Sequence, residues 1–152
     1  MSMKAFTVYQ PYAFAIVAGL KRYETRPRRT NIRDRVAVHA GIRDLWKDGL
    51  LSMDDVRKLS KILSEYNCEK TGGRLRVPPH LEFGVVCGTV EIVDCLPVES
   101  LMGSLTEQEL ALGDYSPGRF AWALRNPVMF DTPIAARGKQ GWWNWEGVKQ
   151  NG

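Results

Sequence analysis

The stretch Phe83–Cys95 leaves this chain the fewest choices. Its apolar residues fall on both alternations: Val86, Val90 and Ile92 on one, Val85, Cys87 and Val93 on the other. Successive side chains of a strand point to opposite faces, so a strand with this pattern has to be covered on both sides. It predicts a strand in the middle of a sheet with material above and below. Arg35-Val-Ala-Val-His-Ala40 has the look of a second central strand. Ala5–Tyr9 reads as a first strand, and Gly118–Leu124 as another, with Phe120, Trp122 and Leu124 on one face. Pro127–Pro133 continues it as an edge strand or a turn.

Helices are few beside these strands. Pro11 suits the first turn of a helix, and Tyr12–Leu20 reads as a short, nearly all-apolar, buried helix that stops around Gly19. Residues 43–66 read as helical: Val56, Leu59, Ile62, Leu63 and Tyr66 recur at spacings of three and four, and Ser52 with Asp55 resembles a capping box. Asn67–Glu82 is rich in Gly, Pro and Arg and reads as a loop. Thr106-Glu-Gln-Glu109 is a second capping box, opening a short helix that ends at Gly113. The balance is α+β, mainly β: a small barrel or a curved mixed sheet, not a doubly wound one. At 152 residues the chain reads as a single domain, 1–152, able to bury a core without staples.

Several classes drop out on composition. The three cysteines, Cys68, Cys87 and Cys95, have no CxxC spacing and read as free thiols, two of them buried, in a reducing cytoplasm. His39 and His80 are far apart and match no metal motif, so no metal is expected. No Walker loop, dinucleotide fingerprint or nucleophile elbow is present, and no cofactor is expected. Met1-Ser-Met-Lys4 does not open a signal peptide, and the longest apolar run, Ala13–Ala18, is too short to cross a bilayer, so no membrane partner is expected.

The charge is local. Residues 21–35 hold seven basic residues against Glu24 and Asp34, a net of +5, whereas the whole chain is +4. A concentrated basic patch draws phosphates or other anions to one face. Within it, the spacing Gly19-x-Lys21-x-x-Glu24-x-Arg26 puts a cation at a helix end and, if the segment is extended, Glu24 and Arg26 on one face; a solvated surface strand would show the same run. Glu91 lies in the most apolar strand, where a carboxylate needs a partner such as Lys21 or Arg26 unless it reaches solvent at the strand end. Ser116-Pro-Gly-Arg119 can offer N–H groups and a guanidinium to a phosphate, or can be an ordinary turn. Trp142, Trp143 and Trp145 can stack bases beside Arg137 and Lys139, or seal the core.

Six stretches resemble the ASCH domain family, a branch of the PUA-like superfamily. They are Val8-Tyr-Gln-Pro-Tyr-Ala13, Gly19-Leu-Lys-Arg-Tyr-Glu-Thr-Arg26, Arg35-Val-Ala-Val-His-Ala40, Gly88-Thr-Val-Glu-Ile-Val93, Ser116-Pro-Gly-Arg-Phe-Ala-Trp122 and Lys139-Gln-Gly-Trp-Trp-Asn-Trp145. The resemblance implies a PUA-like small β-barrel of about five to six strands with flanking helices, and makes 43–66 a helical insertion. It implies a cleft beside the helix before Lys21 and an RNA- or modified-nucleotide-binding role. A subset of the family resembles amidohydrolases that deacylate cytidine-type nucleosides with a lysine, a threonine and a glutamate. Lys21 and Glu91 match two of these positions; Glu24 stands where those enzymes have threonine, which removes the hydroxyl.

The expectation is a binding module: Arg26, Arg28, Arg29, Ser116 and Arg119 at phosphates, Lys21, Glu24 and Glu91 as a polar floor, and Trp122 or Tyr9 stacking a base. The alternative is a metal-independent hydrolase, an amidohydrolase or ribonuclease, using Lys21, Glu24 and Glu91 as catalytic groups. A third possibility, a protein-interaction module built on the 43–66 helices, requires an exposed apolar stripe along them.

Overall fold

A computed structural model describes residues 2–147. The chain runs β1 (Met3–Gln10), α1 (Tyr12–Val17), β2 (Tyr23–Arg26), β3 (Arg35–Asp44), α2 (Met53–Lys70), β4 (Val85–Pro97), a single 3-10 turn (Val98–Leu101), α3 (Glu107–Leu112), β5 (Phe120–Ala135) and β6 (Trp143–Trp145). The strands form one six-stranded mixed sheet in the order β2-β5-β4-β3-β1-β6. Among the described residues only β1 and β3 pair in parallel. The architecture is α+β, and the sheet is open: among the described residues no ladder joins β2 to β6.

The two central strands are those whose pattern demanded cover. Val36–Ala40 of β3 and Val86–Val90 of β4 are buried throughout. One face carries Phe6, Val38, Val90, Ile92, Trp122 and Leu124, closed by Ile16 and Val17 of α1. The other carries Ala5, Ala37 and Val86, closed by Trp143 with Phe130 and Trp145. The tryptophans of 142–145 therefore serve both layers: Trp142 stacks on Trp122 at 5.3 Å and 15°. Cys87 sits in the core, where burial pushes its thiol up to about 12.

Three register shifts along the β4–β5 ladder bend the pair. At Gly88 the strands come so close that a Cβ would overlap the Val128 carbonyl and press on Val17. The segment 127–133, which the sequence left open between a continuing edge strand and a turn, is strand, continuous with 120–124 in one sixteen-residue element. Asn126 absorbs the break with φ of 51°.

The helical stretch differs from the 43–66 expectation at both ends. β3 continues to Asp44, whose Oδ1 accepts from the Trp46 and Lys47 N–H groups and turns the chain. The helix starts only after Ser52, whose hydroxyl accepts from Asp55 N–H (3.0 Å) while Asp55 accepts from Ser52 N–H (3.4 Å). It runs past Tyr66 to Lys70 and stops before Gly72 and Gly73, both in the left-handed region. Its stripe is covered: Leu59 packs against Ala15 and Leu112 with Ile62 beside it, Leu63 is buried as well, and Tyr66 meets Phe14 edge-on. The exposed stripe that an interaction module would need is not on this face. No helix among the described residues is long and apolar enough to cross a membrane.

Candidate nucleotide-binding cleft

The turn after α1 delivers Lys21. Gly19 takes φ of 80°, and the N–H groups of Leu20 and Lys21 both fold back to the Ala15 carbonyl. Such a positive φ suits glycine. The Lys21 ammonium enters the interior, 3% exposed, and donates to the Leu112 carbonyl at 2.7 Å. Glu24 follows on β2, with Oε1 3.7 Å from Lys21 Nζ and Oε2 2.8 Å from Arg26 Nη2. Burial pushes the Lys21 ammonium below the ordinary lysine range; Glu24 and Glu109 push back, and Arg26 adds to the lowering.

Arg26 ties this group to the opposite wall. Its Nη2 donates to the Thr7 carbonyl on β1 at 2.8 Å, and its guanidinium lies 5.7 Å from the Phe6 ring centroid and 5.6 Å from that of Trp122. Beyond it are Thr7 and His39. His39 Nε2 is 2.7 Å from the Ala136 carbonyl, so it carries the proton, and Nδ1 accepts from the Thr7 hydroxyl at 3.2 Å. Burial lowers the His39 pKa. Gly138 crosses directly over this pair; a Cβ there would sit 2.6 Å from the imidazole.

Between these walls lies an open cleft of about 1440 Å³. Seven basic residues line it (Lys21, Arg26, Arg43, Lys58, Arg119, Arg137 and Lys139) against Glu24, Asp55 and Asp114. Their net +4 equals that of the whole chain. Arg119 is held by donating to the Thr25 carbonyl (2.9 Å) and the Asp114 carbonyl (3.1 Å). Tyr9, 45% exposed, stands in the wall, with one ring edge against Gly41.

The site residues expected from sequence thus divide. Lys21, Glu24, Arg26, Arg119 and Tyr9 converge on the cleft. Glu91 lies outside it: it sits opposite Arg35 in the β3–β4 ladder, pairs with that guanidinium at 3.1 Å and accepts from Asn126 Nδ2 at 3.2 Å. That places it on the bulge of β5, not beside Lys21. Arg28 and Arg29 are exposed and do not line the cleft, and Arg29 lies over Phe120 at 4.6 Å. Ser116 is exposed and bonded to Asp114. Trp122 is buried between Trp142 and the Arg26 guanidinium, which leaves it no face for a base.

Two contributors were not singled out from sequence. His39 read as an ordinary strand residue. Glu109 read only as the second half of a capping box; Thr106 does accept from its N–H (3.1 Å), but its carboxylate turns away and takes the Arg22 and Tyr23 N–H groups at 2.9 and 3.3 Å. Among the described residues no cluster of three His, Cys, Asp or Glu side chains could hold a metal ion.

The model of the ASCH domain matches residues 6–149. Among solved structures, ZmASCH from Zymomonas mobilis is 18% identical with a TM-score of 0.47, covering 87% of this chain and 72% of that one. A tyrosine-to-phenylalanine mutant of ZmASCH gives 0.47, 18%, 87% and 74%; a serine-to-alanine mutant gives 0.45, 18%, 87% and 72%. A search of curated proteins returned no match.

Proposed function

Because this chain belongs to the ASCH domain family, we propose that its basic cleft binds a single-stranded segment of RNA or a nucleotide drawn from one. The observation that carries the reading is the gathering of seven basic residues around one open cleft, with Tyr9 in its wall. Phosphates would meet Arg119 on one side and Arg137 and Lys139 on the other. Lys21 and Glu24 would form the floor that meets base or ribose edges, and Tyr9 would stack a base. The volume, about 1440 Å³, exceeds the roughly 300–1,000 Å³ of small-molecule sites and favours a ligand longer than one nucleoside.

Fluorescence anisotropy with a labelled single-stranded RNA, repeated across salt concentrations, tests this. Each phosphate contact on a single strand contributes about 0.7 to the slope of log K against log salt. Replacing Arg137 and Lys139 together by Ala is expected to flatten the slope by about 1.4. An unchanged slope and affinity would remove the phosphate role from this wall.

A second reading has its own observation: a buried lysine with a lowered pKa, 3.7 Å from a carboxylate, facing a cleft. Such a pair suits general acid–base work. In that reading Lys21 and Glu24 act on an acylated cytidine-type nucleoside or on RNA, and Glu91 takes no part. Incubation with N4-acetylcytidine and with end-labelled RNA decides it: turnover that Lys21→Ala abolishes would establish a hydrolase.

A further inference from the structure

Lys21 is held by more than its own strand. α3 reaches back to the turn that delivers it, and does so through a residue whose sequence context assigns it another task. In a capping box the glutamate would return to the Thr106 N–H. Here Glu109 is buried, and Oε1 accepts from Arg22 N–H at 2.9 Å and Tyr23 N–H at 3.3 Å, with Oε2 3.2 Å from the same Arg22 N–H. These are the two peptide groups directly after Lys21. The carbonyl that receives the Lys21 ammonium, Leu112, belongs to the same helix. α3 therefore grips Lys21 twice, by its backbone neighbours and by its side chain.

We propose that Glu109 is the positioning residue of Lys21: its carboxylate fixes the turn that aims the ammonium into the cleft and supplies a second negative charge facing it. The role assigned to Lys21 rests on the reading above, but the coupling between the two residues does not depend on it. The groups facing Lys21 are Glu24 and Arg26 from β2 and Glu109 from α3, with Tyr115 just beyond. The Tyr115 ring and Lys21 Nζ both crowd Gly113: a Cβ there would lie 2.8 Å from the ring and 3.3 Å from the ammonium. The Tyr115 hydroxyl is buried without a hydrogen-bond partner and carries a raised pKa, to which Glu109 and Glu24 contribute after burial. A buried hydroxyl left unpaired is costly unless something in the site uses it. A single Glu24 would face both Lys21 and Arg26; Glu109 brings the buried group closer to neutrality.

The experiment is a site-assigned NMR titration of the Lys21 side chain in the full chain, run on the wild type, Glu109→Gln and Glu109→Asp. Gln keeps an oxygen for the Arg22 and Tyr23 N–H groups and removes the charge, so the Lys21 titration is expected to move further down. Asp keeps the charge and is expected to restore most of it. A purely structural Glu109 would leave the Lys21 titration in place in the Gln variant, and that result overturns the proposal. Should Glu109→Gln fail to fold, the reciprocal measurement serves, because coupling between two titrating groups acts on both. In Lys21→Met the Glu109 carboxyl is expected to titrate higher than in the wild type, and an unmoved Glu109 overturns the proposal equally. RNA affinity is measured on the same samples. A wild type that shows the coupling but binds no RNA supports Glu109's role while removing the binding reading.

Discussion

His39 and Lys21 enter the cleft from opposite walls, and burial acts on both in the direction of the neutral form. For His39 the consequence is a pH dependence with a definite sign. The folded ring is neutral, with Nε2 donating to Ala136 and Nδ1 accepting from Thr7. Its pKa is depressed below the ordinary 6.5, so as pH falls the unfolded chain takes up the proton first. Stability is fully present above that ordinary value and is lost as pH falls from it through the lower, folded value. Chemical denaturation between pH 8 and pH 5 is expected to show the midpoint dropping in the acid half of the range. His39→Gln, which can keep one of the two hydrogen bonds, is expected to flatten that drop; a drop of the same size in the variant would assign it to other groups. None of this was legible in the sequence. His39 sits in Val-Ala-Val-His-Ala, a pattern that says buried strand and nothing of what crosses over it. The crossing residue, Gly138, lies 99 positions away. Glu109 was hidden for a different reason: the same Thr-x-x-Glu spacing describes a capping glutamate and one that leaves the cap for a distant peptide.

Elements were legible where short-range pattern decides them. β1, β3 and β4 were legible as strands, β4 as one covered on both faces, and the covered stripe of α2 from its three-and-four spacing. Which residue takes which face of β4 was not: the register shift between Val86 and Gly88 puts Cys87 with Val90 and Ile92 and sends Val86 to the opposite layer, while Val93 is exposed. The misplaced start of α2 has a local cause: the three-and-four spacing begins only at Val56, and upstream of it Asp44 turns the chain with its side chain. The sequence left 127–133 open between an edge strand and a turn; an asparagine at positive φ lets a bulge form at 126 and the β5 ladder resume beyond it. Two substitutions probe these devices. Ser52→Ala removes the cap from α2 and is expected to cost about 1 kcal/mol in a urea melt while leaving RNA affinity unchanged. Gly88→Ala places a methyl where the Val128 carbonyl already is. It is expected to destabilise by about 3 kcal/mol or more, because the obstacle is backbone of a neighbouring strand that cannot rotate aside. A wild-type melt for Gly88→Ala would contradict the close approach of β4 and β5.

At the scale of the whole molecule, what sequence could state about charge was its amount and not its direction. Residues 21–35 are as basic as their composition says, but topology sends them to different places. Lys21 and Arg26 line the cleft, Arg35 turns to Glu91, and Arg28 and Arg29 are exposed outside the cleft lining. The remaining basic lining comes from segments far apart along the chain, Arg43, Lys58, Arg119, Arg137 and Lys139. Replacing Arg28 and Arg29 together by Ala is therefore expected to leave the salt slope of RNA binding close to that of the wild type, in contrast to the Arg137 and Lys139 pair. A slope that falls equally for both pairs would extend the binding surface beyond the cleft. The bond from Arg26 to the Thr7 carbonyl has a mechanical consequence. Among the described residues β6 pairs with β1 along Met3–Ala5 alone, and no ladder joins β2 to β1. A barrel closed by backbone pairing would set the separation of these walls rigidly. Here the Arg26 guanidinium fastens them directly, beside the edge-on contact of Phe6 with Trp122, so side chains and not a ladder set how far apart these walls stand.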